Sequence, residues 1–149
     1  MKCEPTNVLL IEDEEAHADL TQRAIRKAGN VNRIDVVTHG EEALDYIFNR
    51  GKYADSAKYP LPCLILLDIR LPGMDGIEVL KQIKEHPDLK KLPVVMLTTS
   101  QRDDDIIASY GNHANSYVTK PTGLKQFEEK IRQLDFYWIL INEPPVGDG

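Results

Sequence analysis

The sequence predicts an α/β domain, a doubly wound parallel sheet with helices on both faces. Three observations point to it. Short apolar runs alternate along the chain with segments whose apolar residues recur at helical spacing. The central run, Cys63-Leu64-Ile65-Leu66-Leu67, is apolar throughout, as a strand buried on both faces of a parallel sheet has to be. Polar residues follow directly where such runs end, at Glu12-Asp13, Asp68, Thr98 and Lys120. Open α/β sheets bind their ligands beyond the carboxyl ends of their strands.

Each element has its own signal. Val8–Ile11 is a first strand. Residues 14–28 read as a helix, with Ala16, Leu20, Ala24 and Ala28 at i+4 spacing and Gly29 as its stop. Ile34–Val37 is a second strand, and residues 41–50 are helical, with Ala43, Leu44, Ile47 and Phe48 on one side. Gly51–Pro62 is a polar loop, longer than a usual helix-to-strand connection. Leu64–Leu67 is the third strand, and Asp68 opens a turn rich in Pro-Gly and Asp-Gly pairs. Residues 76–86 form a helix on Ile77, Val79, Leu80 and Ile83, ended by Pro87. The fourth strand starts at Pro93–Leu97 and closes on Thr98, Thr99 and Ser100. Asp103–Asp105 suit the positive end of a helix that runs to about Tyr110. Ser116–Thr119 is the fifth strand, followed by Lys120-Pro121. The last helix begins near Leu124 and carries Phe127, Ile131, Leu134 and Trp138 on one stripe. Of the doubly wound strand orders, 2-1-3-4-5 suits this count of strands.

Composition narrows the function. The 149 residues carry a net charge of −6, which argues against nonspecific binding to nucleic acid or to anionic membrane surfaces. No apolar run approaches the roughly 20 residues of a membrane span. The start, Met-Lys-Cys-Glu-Pro, has no apolar stretch of the kind a secretory leader needs. The two cysteines, Cys3 and Cys63, form no paired motif, and Cys63 reads as a core thiol. Together these point to a cytoplasmic protein.

The strand ends define the chemistry. Glu12, Asp13 and Asp68 would repel one another on a shared sheet edge. A hard divalent cation resolves that, because Mg²⁺ accepts two carboxylates, a backbone carbonyl and waters. Lys120 adds positive charge and Thr98 a hydroxyl donor. This set is suited to holding a phosphoryl group on a carboxylate oxygen.

The ordered set of Glu12-Asp13, Leu66-Leu67-Asp68-Ile69-Arg70-Leu71-Pro72-Gly73-Met74-Asp75-Gly76, Thr98, Tyr117 and Lys120-Pro121 resembles the receiver domain of response regulators of the CheY type. The resemblance spans residues 6–138 and leaves 139–149 as a C-terminal tail. It implies a flavodoxin-like fold of five strands and five helices. It also implies that Asp68 is a phosphoacceptor that attacks a phosphohistidine on a sensor histidine kinase, in a protein that assists its own phosphorylation and dephosphorylation rather than turning over a substrate. Asp13 would be a direct metal ligand, Glu12 would help directly or through water, and the Arg70 backbone carbonyl would be the third protein ligand. Mg²⁺ is the implied ion, with Mn²⁺ as a substitute. Thr98 would bond the phosphoryl, Lys120 would pair with it, Tyr117 would act as an aromatic switch, and the bond before Pro121 would be cis.

Departures from the family pattern matter as well. The acidic pair is Glu-Asp rather than Asp-Asp. Arg70 and Thr99 would crowd the phosphoryl against an attacking water, which implies a long-lived aspartyl phosphate. Arg70 also stands where an aspartyl phosphohydrolase of the haloacid-dehalogenase type needs a second aspartate. The acidic Glu12–Glu15 stretch would repel the phosphate of a flavin. Too few residues follow the last helix for a helix-turn-helix unit, so output is expected through protein contacts or through relay of the phosphoryl to a second histidine. The long Gly51–Pro62 loop and the aromatic tail resemble single-domain regulators that partner phytochromes. A helix that buries Leu134 and Trp138 on its own sheet cannot also bury Phe136, Tyr137 and Ile139–Ile141. A homodimer with Phe136, Tyr137 and Trp138 in its interface is therefore expected.

Overall fold

The computed structural model describes residues 4–29, 31–98, 116–119 and 124–133. Its strands are β1 (Glu4–Ile11), β2 (Arg33–Val37), β3 (Pro62–Asp68), β4 (Val94–Thr98) and β5 (Ser116–Thr119). All pair in parallel, in the order β2-β1-β3-β4-β5, which is the order expected from the strand count. The described helices are α1 (Glu15–Ala28), α2 (Gly40–Ile47), α3 (Gly76–Glu85) and α4 (Leu124–Arg132). Among the described residues no helix is long and apolar enough to cross a membrane.

The central strands show why Val8–Ile11, Cys63–Leu67 and Val94–Leu97 are apolar at every position. Leu9, Ile11, Ile65, Leu67 and Met96 point to one face and pack with α2 and α3 residues such as Leu44, Ile47, Leu80 and Ile83. Val8, Leu10, Leu64, Leu66, Val95 and Leu97 point to the other, onto Ala24 and Ile25 of α1 and Phe127 and Ile131 of α4. Side chains alternate across a strand, so a sheet covered on both faces leaves no polar position in its middle.

Three expectations are corrected. In α1, Ala24 and Ala28 are buried, but Ala16 is exposed and Leu20 only half-buried. The buried face is Ala18, Thr21, Ala24, Ile25 and Ala28. A strict i+4 series overshoots a turn by about 40° per step and winds off the sheet, whereas mixed three- and four-residue steps stay on it. Next, β1 begins at Glu4 rather than Val8, and its pairing with β3 is irregular between Glu4 and Val8, where Thr6 has φ 62°. Finally, Cys63 is buried as expected but is disulfide-bonded rather than a core thiol, so the cysteines no longer support the cytoplasmic reading. The helix expected over about 103–110, the cis bond before Pro121 and the stripe residues Leu134 and Trp138 lie outside the described residues.

Candidate functional site

Register brings the acids together. Ile11 of β1 pairs with Leu67 of β3, so the next residues, Glu12 and Asp68, leave the sheet side by side. Sheet hydrogen bonding extends past both strands: Glu12 N–H donates to Val37 O at 3.0 Å and Ile69 N–H to Leu97 O at 3.1 Å. Glu12 is 1% exposed, Asp68 3% and Thr98, at the end of β4, 0%. Asp13 is exposed. One carboxylate oxygen from each of Glu12, Asp13 and Asp68 lies within 4.8 Å of the others.

The turn after β3 folds back on the central acid. Arg70 N–H donates to Asp68 Oδ1 at 3.2 Å, while the Arg70 side chain is exposed. Gly76 N–H donates to Ile69 O at 3.1 Å. A Cβ on Gly76 would stand 2.2 Å from Asp68 O, so only glycine lets α3 start this close to the end of β3. Glu12 is set at the other side by α1. Its Oε2 accepts from Glu14 N–H at 3.3 Å, and its Oε1 lies 3.9 Å from His17 Nδ1. The positive end of α1 favours a carboxylate there.

The donor set fits a hard divalent cation. All three side chains offer oxygen, the atom hard divalent cations bind, and these oxygens lie within 4.8 Å of one another. Two of the carboxylates are buried close to each other, an arrangement that a cation relieves. Asp13 faces solvent at the junction of two open clefts that leave room for bound water. One, of about 420 Å³, runs along Ile69–Pro72, and the other, of about 880 Å³, runs between α1 and the end of β2.

Of the predicted residues, Glu12, Asp13, Asp68 and the Arg70 backbone are brought together here, with Thr98 on the adjacent strand end. Leu97, just before Thr98, pairs with Asp68. Tyr117 lies in β5 opposite Met96. Thr99, Lys120, Pro121, Phe136, Tyr137 and Trp138 lie outside the described residues.

A second polar cluster had no counterpart in the sequence reading. Tyr59 packs edge to face against Tyr46 and Tyr53, which tilt against each other, with ring centroids 4.8–5.6 Å apart. The Tyr46 hydroxyl donates to Asp35, which also binds Arg33 Nε at 3.0 Å. The Tyr53 hydroxyl donates to Glu42 Oε2 at 2.7 Å, and Lys52 Nζ approaches the same oxygen at 3.0 Å. Asn49, at φ 52°, donates to the carbonyls of Tyr53 and Tyr59, both at 3.0 Å. The long polar loop is thus tied down over much of its length. Burial, and then Glu42, pushes the Tyr53 hydroxyl up to about 12. Burial, and then Asp35, pushes Tyr46 up as well. Burial would raise the Glu42 carboxyl, but its bonds from Tyr53, Lys52 and the Thr38 N–H hold it below the usual carboxylate value. Tyrosines and acids in this stretch were the available signal, but spacing across a loop carries no geometry.

Residues 8–132 match the family profile described as the response regulator receiver domain. The chain is 41% identical over 142 residues to the probable methanogenesis regulatory protein FilR2 of Methanothrix harundinacea, covering 95% of this chain and 89% of that one. It is 40% identical over 135 residues to the response regulator Rcp1 of Synechocystis, covering 91% and 90%. Among solved structures it resembles the bacteriophytochrome response regulator RtBRR, with TM-score 0.80 and 39% identity over 97% of this chain and 86% of that one. It also resembles the phosphorylated cyanobacterial phytochrome response regulator RcpA, with TM-score 0.78 and 38% identity over 91% and 95%. The Mn²⁺-bound form of Rcp1 aligns with TM-score 0.75 and 38% identity over 95% and 100%.

Proposed function

The chain belongs to the response-regulator receiver family of phosphorelay signalling proteins, and from that premise we propose that Asp68 is its phosphoacceptor. The observation that carries this is the convergence of Glu12 and Asp13 on a buried Asp68 at the end of the central strand. An Asp68 carboxylate oxygen attacks the phosphorus of a phosphohistidine on a sensor histidine kinase. The P–O bond forms as the P–N bond breaks, and the imidazole leaves. Glu12, Asp13, Asp68 and the Arg70 backbone carbonyl would hold the divalent cation, Mg²⁺ with Mn²⁺ as a substitute. When bound, the ion supplies positive charge to the clustered acids and the incoming phosphoryl oxygens. Thr98 donates its hydroxyl to the phosphoryl, with Thr99 beside it. Lys120 pairs with Asp68 and then with the phosphoryl, and Tyr117 follows Thr98 to reshape the surface. The family resemblance supports these last roles.

Incubation with Mg²⁺ and acetyl phosphate, followed by intact mass, tests the reading. The parent should gain one phosphoryl, and Asp68→Asn or chelation should abolish the gain. A phosphorylated Asp68→Asn protein would place the acceptor elsewhere. In the same assay Arg70→Asn should shorten the life of the phosphoryl, and an unchanged decay would remove Arg70 as the shield.

Similarity to Rcp1, RcpA and RtBRR supports a phytochrome-type histidine kinase as the partner. The protein then acts in the cytoplasm through protein contacts rather than on nucleic acid or membrane. Residues 6–138 form the receiver unit, and the tail 139–149 with Phe136, Tyr137 and Trp138 forms a homodimer interface. Sedimentation at micromolar concentration should show a dimer that Tyr137→Ala with Trp138→Ala turns into a monomer. A parent that is monomeric with and without phosphoryl would remove the dimer.

A further inference from the structure

We propose that Glu41 is a positioning residue for the metal site: from the first turn of α2 it pins the turn between β3 and α3, and so fixes the backbone at Arg70. The proposal rests on the reading that this turn presents a metal ligand. Glu41 Oε1 accepts from Met74 N–H at 3.2 Å, across 33 residues of sequence. The surrounding backbone is cleared for that contact. A Cβ on Gly40 would stand 2.5 Å from Met74 O and 3.0 Å from Met74 Cβ, so only glycine lets the start of α2 come this near. Gly73 adopts φ +72°, and a Cβ there would meet both Glu41 carboxylate oxygens at 3.2 Å. Gly40 therefore admits Met74 beside α2, and Gly73 leaves room for the Glu41 carboxylate itself.

The rest of the turn shows what the contact controls. At its start Arg70 N–H bonds Asp68 Oδ1, and Leu71 is buried. At its end Asp75 Oδ1 caps α3 through Glu78 N–H at 3.0 Å, and Gly76 N–H returns to Ile69 O. These bonds hold the peptide before Arg70 and the peptide before Gly76. In between, the Met74 N–H is tied to α2 through Glu41. A backbone carbonyl can serve as a ligand only while its peptide plane keeps its orientation, and partners one step removed from a ligand tune metal affinity.

A simpler role is available to Glu41. An acid in the first turn of a helix is favoured by the helix dipole whatever it touches. Charge and hydrogen bonding are separable, because Glu41→Gln and Glu41→Ala both remove the charge but only glutamine keeps an oxygen acceptor for Met74 N–H.

The test is Mn²⁺ binding to the full chain by calorimetry, with amide hydrogen exchange read at residues 73–75. Glu41→Ala should lower Mn²⁺ affinity about three- to tenfold, less than is typical for a group bonded to a ligand itself, and should speed exchange at Met74. Glu41→Gln should restore both toward the parent. Asp13→Asn is the control and should lose Mn²⁺ binding outright. If Asp13→Asn binds like the parent, the metal-site reading fails and the proposal with it. If Asp13→Asn loses binding while Glu41→Ala binds like the parent, the positioning role alone is overturned. A matched loss in Glu41→Ala and Glu41→Gln would also overturn it, by assigning the effect to charge.

Discussion

Two acidic regions of this molecule handle negative charge in opposite ways. At the ends of β1 and β3, three carboxylates face one another within 4.8 Å, two of them buried. Around the start of α2, Asp35 faces Arg33 and Tyr46, and Glu42 faces Lys52 and Tyr53. In the second region each acid has its own donors, and the cluster holds the long loop against β2 and α2. In the first, like charges are brought together with two of them buried, an arrangement that a divalent cation would complete. The number of acids does not separate a functional site from a structural one; what they face does.

The contrast breaks most visibly in thermal unfolding. Mg²⁺ at a hundred times its dissociation constant should stabilise the parent by about 2.7 kcal/mol. Asp13→Asn should erase that gain and leave the metal-free protein as stable or slightly more so, because it removes one of three repelling charges. Asp35→Ala should do the reverse. It leaves the buried Tyr46 hydroxyl without its acceptor, costs about 2 kcal/mol and lowers Tm by about 4–8 °C. The Mg²⁺ gain should survive in that variant. If Asp13→Asn proves as damaging without metal as Asp35→Ala, the site is a structural cluster and the comparison fails.

How much of this was legible follows from how local each feature is. The run Cys63–Leu67 reads as a central strand because it is short, apolar throughout and flanked by turn residues, whereas a buried helix would run longer. Asp68 then followed from strand-end logic alone, as did the pairing of Glu12-Asp13 with it. The α1 face was misjudged because a regular i+4 repeat of alanines was available and small side chains carry a weak periodic signal. Glu41 was not singled out, since its contact with Met74 crosses two elements whose approach depends on Gly40 and Gly73. The tyrosine cluster is longer-ranged still. Tyr46 of α2 reaches back to Asp35 of β2, and Tyr59 joins them only after the chain has turned through the loop.

The smaller test of the comparison is alkaline titration. The folded state holds Tyr53 at about 12, two units above an ordinary tyrosine, because the hydroxyl is buried and its tyrosinate would stand against Glu42. A group raised in the folded state contributes its stability in full below its unfolded value near 10 and loses it as pH climbs through the folded value. Between pH 10 and 12 the unfolded chain releases this proton and the folded chain keeps it, so stability falls with rising pH. Tyr53→Phe should cost about 1 kcal/mol at pH 7 through the lost bond to Glu42, and its deficit should narrow above pH 10. Tyr46 remains in both proteins and keeps both curves falling. Denaturant titrations at pH 7, 9, 10 and 11 would show the two curves converging. Parallel curves would mean that Tyr53 ionises as freely folded as unfolded, and that the donor-matched region does not hold its protons as its geometry requires.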